Sequence, residues 1–426
     1  MLLDLSIETL TFGGRGLARH DGKAVFVPHV APGDRVRCRI VRDRSQYVEA
    51  EVCELLEPSP ARRTPPCPVA GVCGGCDWQQ LPYGEQARWK ERLFHEHLLR
   101  SGVATAEVLR PIVPAPDEWC YRNRLQFKCR LTRTGFVTGF YRTASHFVVD
   151  TPRCLLAAPS IQEAYAFLRS ELPRAPRAEA LPQVDISCSD DGRAAALFHL
   201  LPDAVAEMRP WLAEVAARGG FAAALQYGRK ETIEPVAGQG GLVTIVDNPP
   251  LDLHVGAGGF AQVNAAQNRR MVEAVVAAAG LTQRERVLDL FCGVGNFSLP
   301  LARRAGFIVG VECYPPAIAD AMANAARHGL DNLSFHAEPA EGAALRYGSF
   351  DLVLLDPPRT GAYQVMRDLL AARPQRIVYV SCDPATLARD LRPLVHNGYR
   401  LASAQPFDFF PQTWHIESLS VLERCE

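Results

Sequence analysis

The sequence predicts an α/β chain in three parts: a small β-barrel, an α+β middle and a doubly wound α/β domain at the C-terminal end. Three observations predict it. Residues 1–57 hold short alternating runs broken by turn residues: LSIETLTF stops at Gly13, Gly14 and Gly16, and GKAVFVPHV stops at Pro32-Gly33-Asp34. A proline-rich stretch, EPSPARRTPPCP, then reads as a linker. From about residue 265 onward, buried strands and helices alternate strictly. The expected units are residues 1–57, 58–255 and 256–426.

Composition sets the outer bounds. The 426 residues carry 46 Lys and Arg against 47 Asp and Glu, and 48% are apolar, which is the profile of a soluble globular protein. No apolar run reaches the roughly 20 residues a bilayer span needs. The start, MLLDLSIETL, has no basic segment or cleavage site, so no signal peptide is read and the expected location is the cytoplasm. The 13 cysteines are then expected as free thiols. They should be metal ligands, a nucleophile or core residues. Near-zero net charge excludes a uniformly cationic nucleic-acid binder and allows a locally basic face. Residues 1–150 carry 21 Lys and Arg against 17 Asp and Glu.

The first part reads as a barrel of the oligonucleotide-binding kind. RVRCRIVRDR alternates, which puts Arg35, Arg37 and Arg39 on one strand face, and rows of arginine suit phosphates. After the linker comes Cys67-x5-Cys73-Gly-Gly-Cys76. The paired glycines let Cys73 and Cys76 reach one centre. Cys154, in TPRCLL, is the preferred fourth ligand, with Cys120 and Cys129 weaker candidates. Four thiolates suit zinc or an iron–sulfur cluster, and the spacing does not choose between them. YGEQARWKERLFHEHLLRSG predicts an amphipathic helix ending at Gly102. WCYRNRLQFKCRL and GFVTGFYRTASHFVVD predict paired strands. There Arg122, Arg124, Lys128 and Arg130 alternate beside Tyr121 and Phe127, a mixture suited to single-stranded RNA. Residues 155–250 are rich in Ala and Pro and predict only more of the same α+β unit.

In the last part, AAQNRRMVEAVVAAAG is a helix and RVLDLF a buried strand. The turn Cys292-Gly293-Val294-Gly295-Asn296 leads into the helix FSLPLARRA. FIVGVE is a second strand ending at Glu312, PPAIADAMANAARHG a helix and LSFH a third strand. FDLVLLD is a fourth, followed by Pro357-Pro358-Arg359, and RIVYVSC a fifth that ends in Cys382. Such a domain keeps its site at the carboxyl ends of the strands. Gly293 and Gly295 are present, but Ser298 stands where a dinucleotide motif has its third glycine. Glu312 can accept both ribose hydroxyls of a nucleoside. S-adenosylmethionine, a nucleoside without phosphate, is therefore the better fit. A final antiparallel pair, YRLASAQPFDFF and HIESLSVLER, is typical of the methyltransferase version of this sheet. Asp356 should lie beside the methyl donor. Cys382 precedes a helix start, whose amides would favour a thiolate. Glu417 lies in the last strand pair.

FAQVNAAQ, DLFCGVGNFSLPLA, VLLDPPR, SCDPATLARDL and HIESL, in this order, resemble the RNA uracil-C5 methyltransferase family. CPVAGVCGGCDWQQ resembles its iron–sulfur motif, and residues 1–57 resemble its TRAM domain. The resemblance implies a Rossmann-like S-adenosylmethionine methyltransferase domain behind a TRAM barrel and an iron–sulfur domain. It implies a [4Fe-4S] cluster on Cys67, Cys73, Cys76 and Cys154. It implies donor contacts at Gln262, Phe291, Asn296, Glu312 and Asp356, a nucleophile at Cys382 and a general base at Glu417. One departure is Pro339, where the family usually has a polar residue near the adenine. The cluster resembles that of the ribosomal RNA members, so 23S rRNA is the expected substrate, with a T-loop uridine of tRNA as the alternative. No membrane and no obligate protein partner are implied. The residues suit the chemistry. Carbon 5 of uracil becomes nucleophilic only once a thiolate adds to carbon 6, and a base must later remove the carbon-5 proton. A DNA cytosine methyltransferase would place its cysteine after strand four, not after strand five.

Overall fold

In the computed structural model, which describes residues 1–228, 232–238 and 240–425, the front of the chain builds one curled sheet. Its strands are β1 (Leu2–Ser6), β2 (Thr9–Leu10), β3 (Gly16–His20), β4 (Lys23–Val27), β5 (Arg35–Asp43) and β6 (Tyr47–Glu57). Their order is β1-β5-β6-β4-β3-β2. Alternation sends Leu3, Leu5, Val25, Val27, Val36 and Cys38 into a single core. That shared core curls the sheet until β1 lies against β3. The β5–β6 register shifts at three points, and such irregularities bend and twist a strand pair.

The cysteine loop follows, then α1 (Tyr83–Ser101), which ends as predicted at Gly102 with φ 73°. Phe94 and Leu98 of α1 join the core of the C-terminal domain, so this helix ties the middle of the chain to its end. The middle sheet contains β7 (Arg124–Thr132), β8 (Gly135–Tyr141), β9 (Val148–Asp150), β10 (Gln183–Cys188), β11 (Ala194–Leu200), β12 (Ala222–Tyr227) and β13 (Ile233–Ala237). It is ordered β13-β12-β11-β10-β7-β8-β9. Helices α2 (Pro159–Glu171) and α3 (Val205–Gly219) pack on it. Its later strands, AAALFHL and AAALQY, are alanine-rich, and their pattern is weak because small side chains fill the space under two helices. The hairpin β14 (Leu242–Val246) and β15 (Leu251–Val255) sends Val246, Leu251 and Leu253 into the C-terminal core.

The C-terminal sheet comprises β16 (Arg286–Leu290), β17 (Phe307–Glu312), β18 (Leu333–Ala337), β19 (Leu352–Leu355), β20 (Arg376–Ser381), β21 (Tyr399–Phe407) and β22 (Glu417–Arg424). The order is β18-β17-β16-β19-β20-β22-β21. The first five are parallel, and β22 runs antiparallel to both its neighbours. Helices α4 (Ala265–Ala279), α5 (Ser298–Ala302), α6 (Pro315–Arg327), α7 (Ala343–Arg346), α8 (Val365–Ala372) and α9 (Pro384–His396) connect and cover the strands. The near-continuous burial of β16, β19 and β20 is what a sheet covered on both faces requires. Strand order reverses between β16 and β19, which opens a crevice at their carboxyl ends. Among the described residues no helix is long and apolar enough to cross a membrane.

Candidate active site

One wall of the crevice is the turn after β16. Phe291 has φ 64°, a left-handed conformation that a bulky residue rarely adopts and that clusters at functional sites. Gly295 has φ 91°, and a Cβ there would lie 2.2 Å from Leu299, so only glycine lets the turn hug the following helix. Asn296 exchanges two side-chain hydrogen bonds with Asn268 of α4, at 2.8 and 3.1 Å, which fixes its amide. Asn268 was not read from the sequence. Its only signal is its place four residues after Asn264, whose side chain caps α4 by accepting from the Gln267 amide. Glu312 closes β17 and accepts from the Tyr314 amide at 2.9 Å. The Gln262 carbonyl accepts from Asn123 Nδ2 at 3.0 Å, joining the middle sheet to this side of the crevice.

The other wall carries the reactive groups. Cys382 follows β20 and Glu417 opens β22. The pairing of Ser381 with Ser418 brings the two side by side. Asp356 follows β19, and its amide donates to the Leu290 carbonyl at 3.3 Å. Burial pushes the Asp356 carboxyl up to about 7. Burial, followed by the charges of Asp356 and Glu312, pushes Asp289 up to about 7 as well. Glu417 rises well above the usual carboxylate range, first through burial and then through Asp356. Burial, then Glu417 and Asp356, pushes the Cys382 thiol up to about 12, with Arg359 opposing.

The helix start does not lower the Cys382 thiol as expected: burial and the neighbouring carboxyls raise it instead. Two causes combine. The first amides of α9, on Ala385 and Thr386, already donate to Asp383 Oδ1 at 2.9 Å each, so the helix start is capped by a carboxylate. The nearest groups to the sulfur are otherwise mostly acids. A cation seated in the crevice would shift the carboxyls and the thiol toward their anionic forms. We expect iodoacetamide to label Cys382 slowly at pH 7, with the rate rising toward alkaline pH. A bound sulfonium ligand should accelerate it, as read by peptide mass mapping. Fast labelling at pH 7 without ligand would contradict this assignment.

Arg359, whose role was not legible in the motif DPPR, donates from Nη2 to His415 Nδ1 at 2.8 Å. Burial and Arg359 hold His415 down at about 3, so the ring is a neutral acceptor. Arg359 acts on both Cys382 and Glu417, favouring the anion of each.

Cys67, Cys73, Cys76 and Cys154 line one cavity of about 80 Å³. Burial raises the Cys73 thiol to about 11, that of Cys76 to about 12, and that of Cys154 as well. Each of these three thiols lies within electrostatic reach of others in the ring. Cys120 is exposed and Cys129 contacts Thr138 inside the middle sheet, so neither lines the cavity. Among the described residues, no three His, Cys, Asp or Glu side chains are gathered to hold a metal ion. Arg122 lies beside Cys76 and Cys154, with its guanidinium 5.8 Å from the Phe410 ring and its Nε without a hydrogen-bond partner.

The two expected basic faces separate. Arg35, Arg37 and Arg39 do share the outer face of β5, but each is paired: Arg35 with Glu57, Arg37 with Asp4 and Glu54, Arg39 with Glu51. That row is a neutralised ladder. In the middle domain, Phe127 is buried and stacks on Tyr165, and Tyr121 is buried too, so neither is a platform for bases. The exposed aromatics lie farther along the hairpin: Phe147 is 67% exposed, and Lys128 sits 5.4 Å from the ring of Tyr141. Residues 122–149 hold six Arg and Lys and no Asp or Glu. Among the described residues, Arg130, Arg133 and Arg142 have no ion-pair partner. Replacing these three with Ala should flatten the salt dependence of RNA binding by roughly 2 in log–log slope, at about 0.7 per single-strand phosphate. Replacing Arg35, Arg37 and Arg39 should leave that slope near the parent value. The reverse pattern would put the RNA on the barrel face.

Comparison with known proteins gives a consistent result. Residues 247–425 match the tRNA (uracil-5-)-methyltransferase family, and residues 2–53 match the TRAM domain. The chain is 39% identical to the 23S rRNA (uracil(1939)-C(5))-methyltransferase RlmD of Alkalilimnicola ehrlichii, over 99% of this chain and 96% of that protein. It is 36% identical to the protein of the same name from Azoarcus sp., over 98% and 99%. Among solved structures it resembles the Pyrococcus abyssi tRNA (uracil-54, C5)-methyltransferase in complex with S-adenosyl-L-homocysteine. That match has a TM-score of 0.75 at 23% identity, covers 99% of this chain and 100% of that one, and bears on the fold.

Proposed function

The chain belongs to the uracil-5-methyltransferase family of RNA-modifying enzymes, and from that we propose that it moves a methyl group from S-adenosylmethionine to carbon 5 of a uridine in 23S ribosomal RNA, with Cys382 as nucleophile and Glu417 as base. The observation that carries the reading is the meeting of Cys382, Glu417 and Asp356 at the carboxyl edge of the sheet, where the Ser381–Ser418 pairing sets the first two side by side and Asp356 acts on both.

The steps follow from these groups. The target uracil must leave its stack, which costs on the order of a few kcal/mol. Cys382 sulfur bonds to carbon 6, and the electron pair of the C5=C6 bond moves into an enolate that is nucleophilic at carbon 5. Carbon 5 takes the methyl group of the sulfonium. The Glu417 carboxylate then takes the carbon-5 proton, the C–H pair restores the C5=C6 bond, and the C6–S bond breaks to return the thiolate. Burial raises both Cys382 and Glu417 in the ligand-free site, and the positive sulfonium favours the anion of each, the displaced protons passing to solvent. Glu312 is suited to the ribose hydroxyls. Phe291, Asn296, Gln262 and Asp356 surround the rest of the donor in this reading. Residues 1–57, 58–255 and 256–426 are its working units, with the hairpin β14–β15 packed on the last of them and the unpaired cations of the middle unit facing RNA.

The [4Fe-4S] assignment to Cys67, Cys73, Cys76 and Cys154 is part of the proposal. Its support is that the four thiols line one cavity, with Cys73, Cys76 and Cys154 each within electrostatic reach of another. These four residues would hold the cluster as thiolates. Arg122 beside Cys76 and Cys154 would offset the anionic charge of the cluster–thiolate unit. Anaerobically purified protein should be brown, with about four irons per chain, and Cys154→Ala should bleach it. A colourless protein with one bound zinc would contradict the assignment and leave the reaction untouched.

The substrate is tested with methyl-labelled S-adenosylmethionine and two unmodified RNAs, 23S rRNA and tRNA. Mass mapping should find 5-methyluridine in the 23S rRNA. Methylation of the tRNA T-loop alone would favour the alternative reading.

A further inference from the structure

We infer that Gln412 is a positioning residue for the reaction, a hydrogen-bond node that seats the loop carrying the base and so sets Glu417 against Cys382. The inference rests on the reading of Glu417 as the base. Residues 408–416 join β21 to β22, two adjacent antiparallel strands that a connection of about 2–5 residues can link. The loop is longer than that, and its anchors lie far away in sequence. Its own strands supply few of them.

Gln412 is completely buried and has φ 73°, a conformation held only where the surroundings impose it. All its polar groups are engaged. Its carbonyl accepts from the amides of Asp77 and Trp78, at 3.0 Å each, in the segment directly after Cys76. Its amide donates to Gln86 Oε1 at 2.7 Å, and Gln86 Nε2 donates back to Gln412 Oε1 at 2.9 Å. Arg63 donates to the same oxygen at 3.0 Å, and Gln412 Nε2 donates to Glu118 at 3.1 Å. Four residues earlier, the fully buried pair Lys90–Asp408 pins the loop to α1 at 2.6 Å, and Lys90 also donates to the Phe410 carbonyl at 3.0 Å. Tyr121 holds the Pro411 carbonyl at 3.0 Å. The front barrel meets the same node: Trp78 Nε1 donates to the Gly14 carbonyl at 3.0 Å, and a Cβ on Gly14 would strike Trp414 at 2.8 Å.

Glu417 lies five residues beyond Gln412, at the first position of β22. Its approach to the substrate is therefore fixed by contacts made by the cysteine loop, α1 and the barrel. Only the last chemical step uses Glu417 as a base. A loosened node should slow proton removal and C6–S cleavage while sparing thiol addition and methyl transfer, and general packing damage would not sort the steps in this way.

The test uses the full-length enzyme and the RNA it methylates. Gln412→Gly keeps the positive φ without strain and removes the side chain, and Gln86→Leu removes the opposing partner. For each, single-turnover methyl transfer should stay within about threefold of the parent, multiple turnover should fall roughly tenfold or more, and a methylated protein–RNA adduct should persist on a denaturing gel. Parallel loss of both rates without adduct, or failure of both variants to fold, makes Gln412 a packing residue and overturns the inference. Glu417→Gln run beside them separates the two readings. Without adduct in Glu417→Gln, the base assignment fails. With adduct there and none in the Gln412 and Gln86 variants, only the present inference fails.

Discussion

Cys382→Ala should form no covalent complex with RNA and should lose methylation by on the order of 10⁴-fold or more, since nothing else starts the reaction. The reason is chemical before it is structural. Carbon 5 of an intact uracil does not attack a sulfonium at a useful rate, and only addition at carbon 6 makes it nucleophilic. Donor binding should survive, because the groups expected to hold the donor, among them Glu312, Asn296 and Phe291, lie on other strands and turns. Cys382→Ser should be nearly as inactive, its hydroxyl being far harder to ionise among these carboxyls. Substantial activity in Cys382→Ala would remove the nucleophile from this account.

Glu417→Gln should fail at the opposite end of the reaction. The amide keeps the size of the carboxyl but cannot take the carbon-5 proton, a role worth roughly 10²–10⁴ in rate. Methyl transfer should still occur once. The methylated adduct then cannot expel Cys382, and protein should stay joined to RNA in a band that becomes stable only when S-adenosylmethionine is present. An adduct that forms without the methyl donor can reverse. Normal turnover in Glu417→Gln would assign the base to another residue and leave Cys382 in place.

Some of this was legible in the sequence because its causes are local. VLDL, LVLL and VYVS are mostly apolar runs of strand length, and they lie in β16, β19 and β20. Gly102 marked a helix end, and a helix start was read just after Cys382, because such signals are short-range chemistry. What failed depends on distant partners. The row Arg35, Arg37, Arg39 was visible, but the acids that neutralise it arrive through the register of β6 and from Asp4, and alternation does not reveal register. A helix start after Cys382 was visible too, yet its thiol state is set by Glu417 and Asp356 on other strands. Lys90 and Asp408 are 318 residues apart, so nothing local to either marks a buried pair. The alanine-rich strands β11 and β12 carry too little contrast between faces to read as strands.

The claim that joins these observations is that Cys382 bonds to the base that receives the methyl group. It is tested most directly by trapping the Glu417→Gln adduct with S-adenosylmethionine and RNA, digesting both polymers and sequencing the joined fragment by mass spectrometry. The account predicts a peptide containing Cys382 bonded through sulfur to one 5-methylated uridine. A bond from any other residue, or a Cys382 adduct whose uridine lacks the methyl group after prolonged incubation with donor, would contradict it.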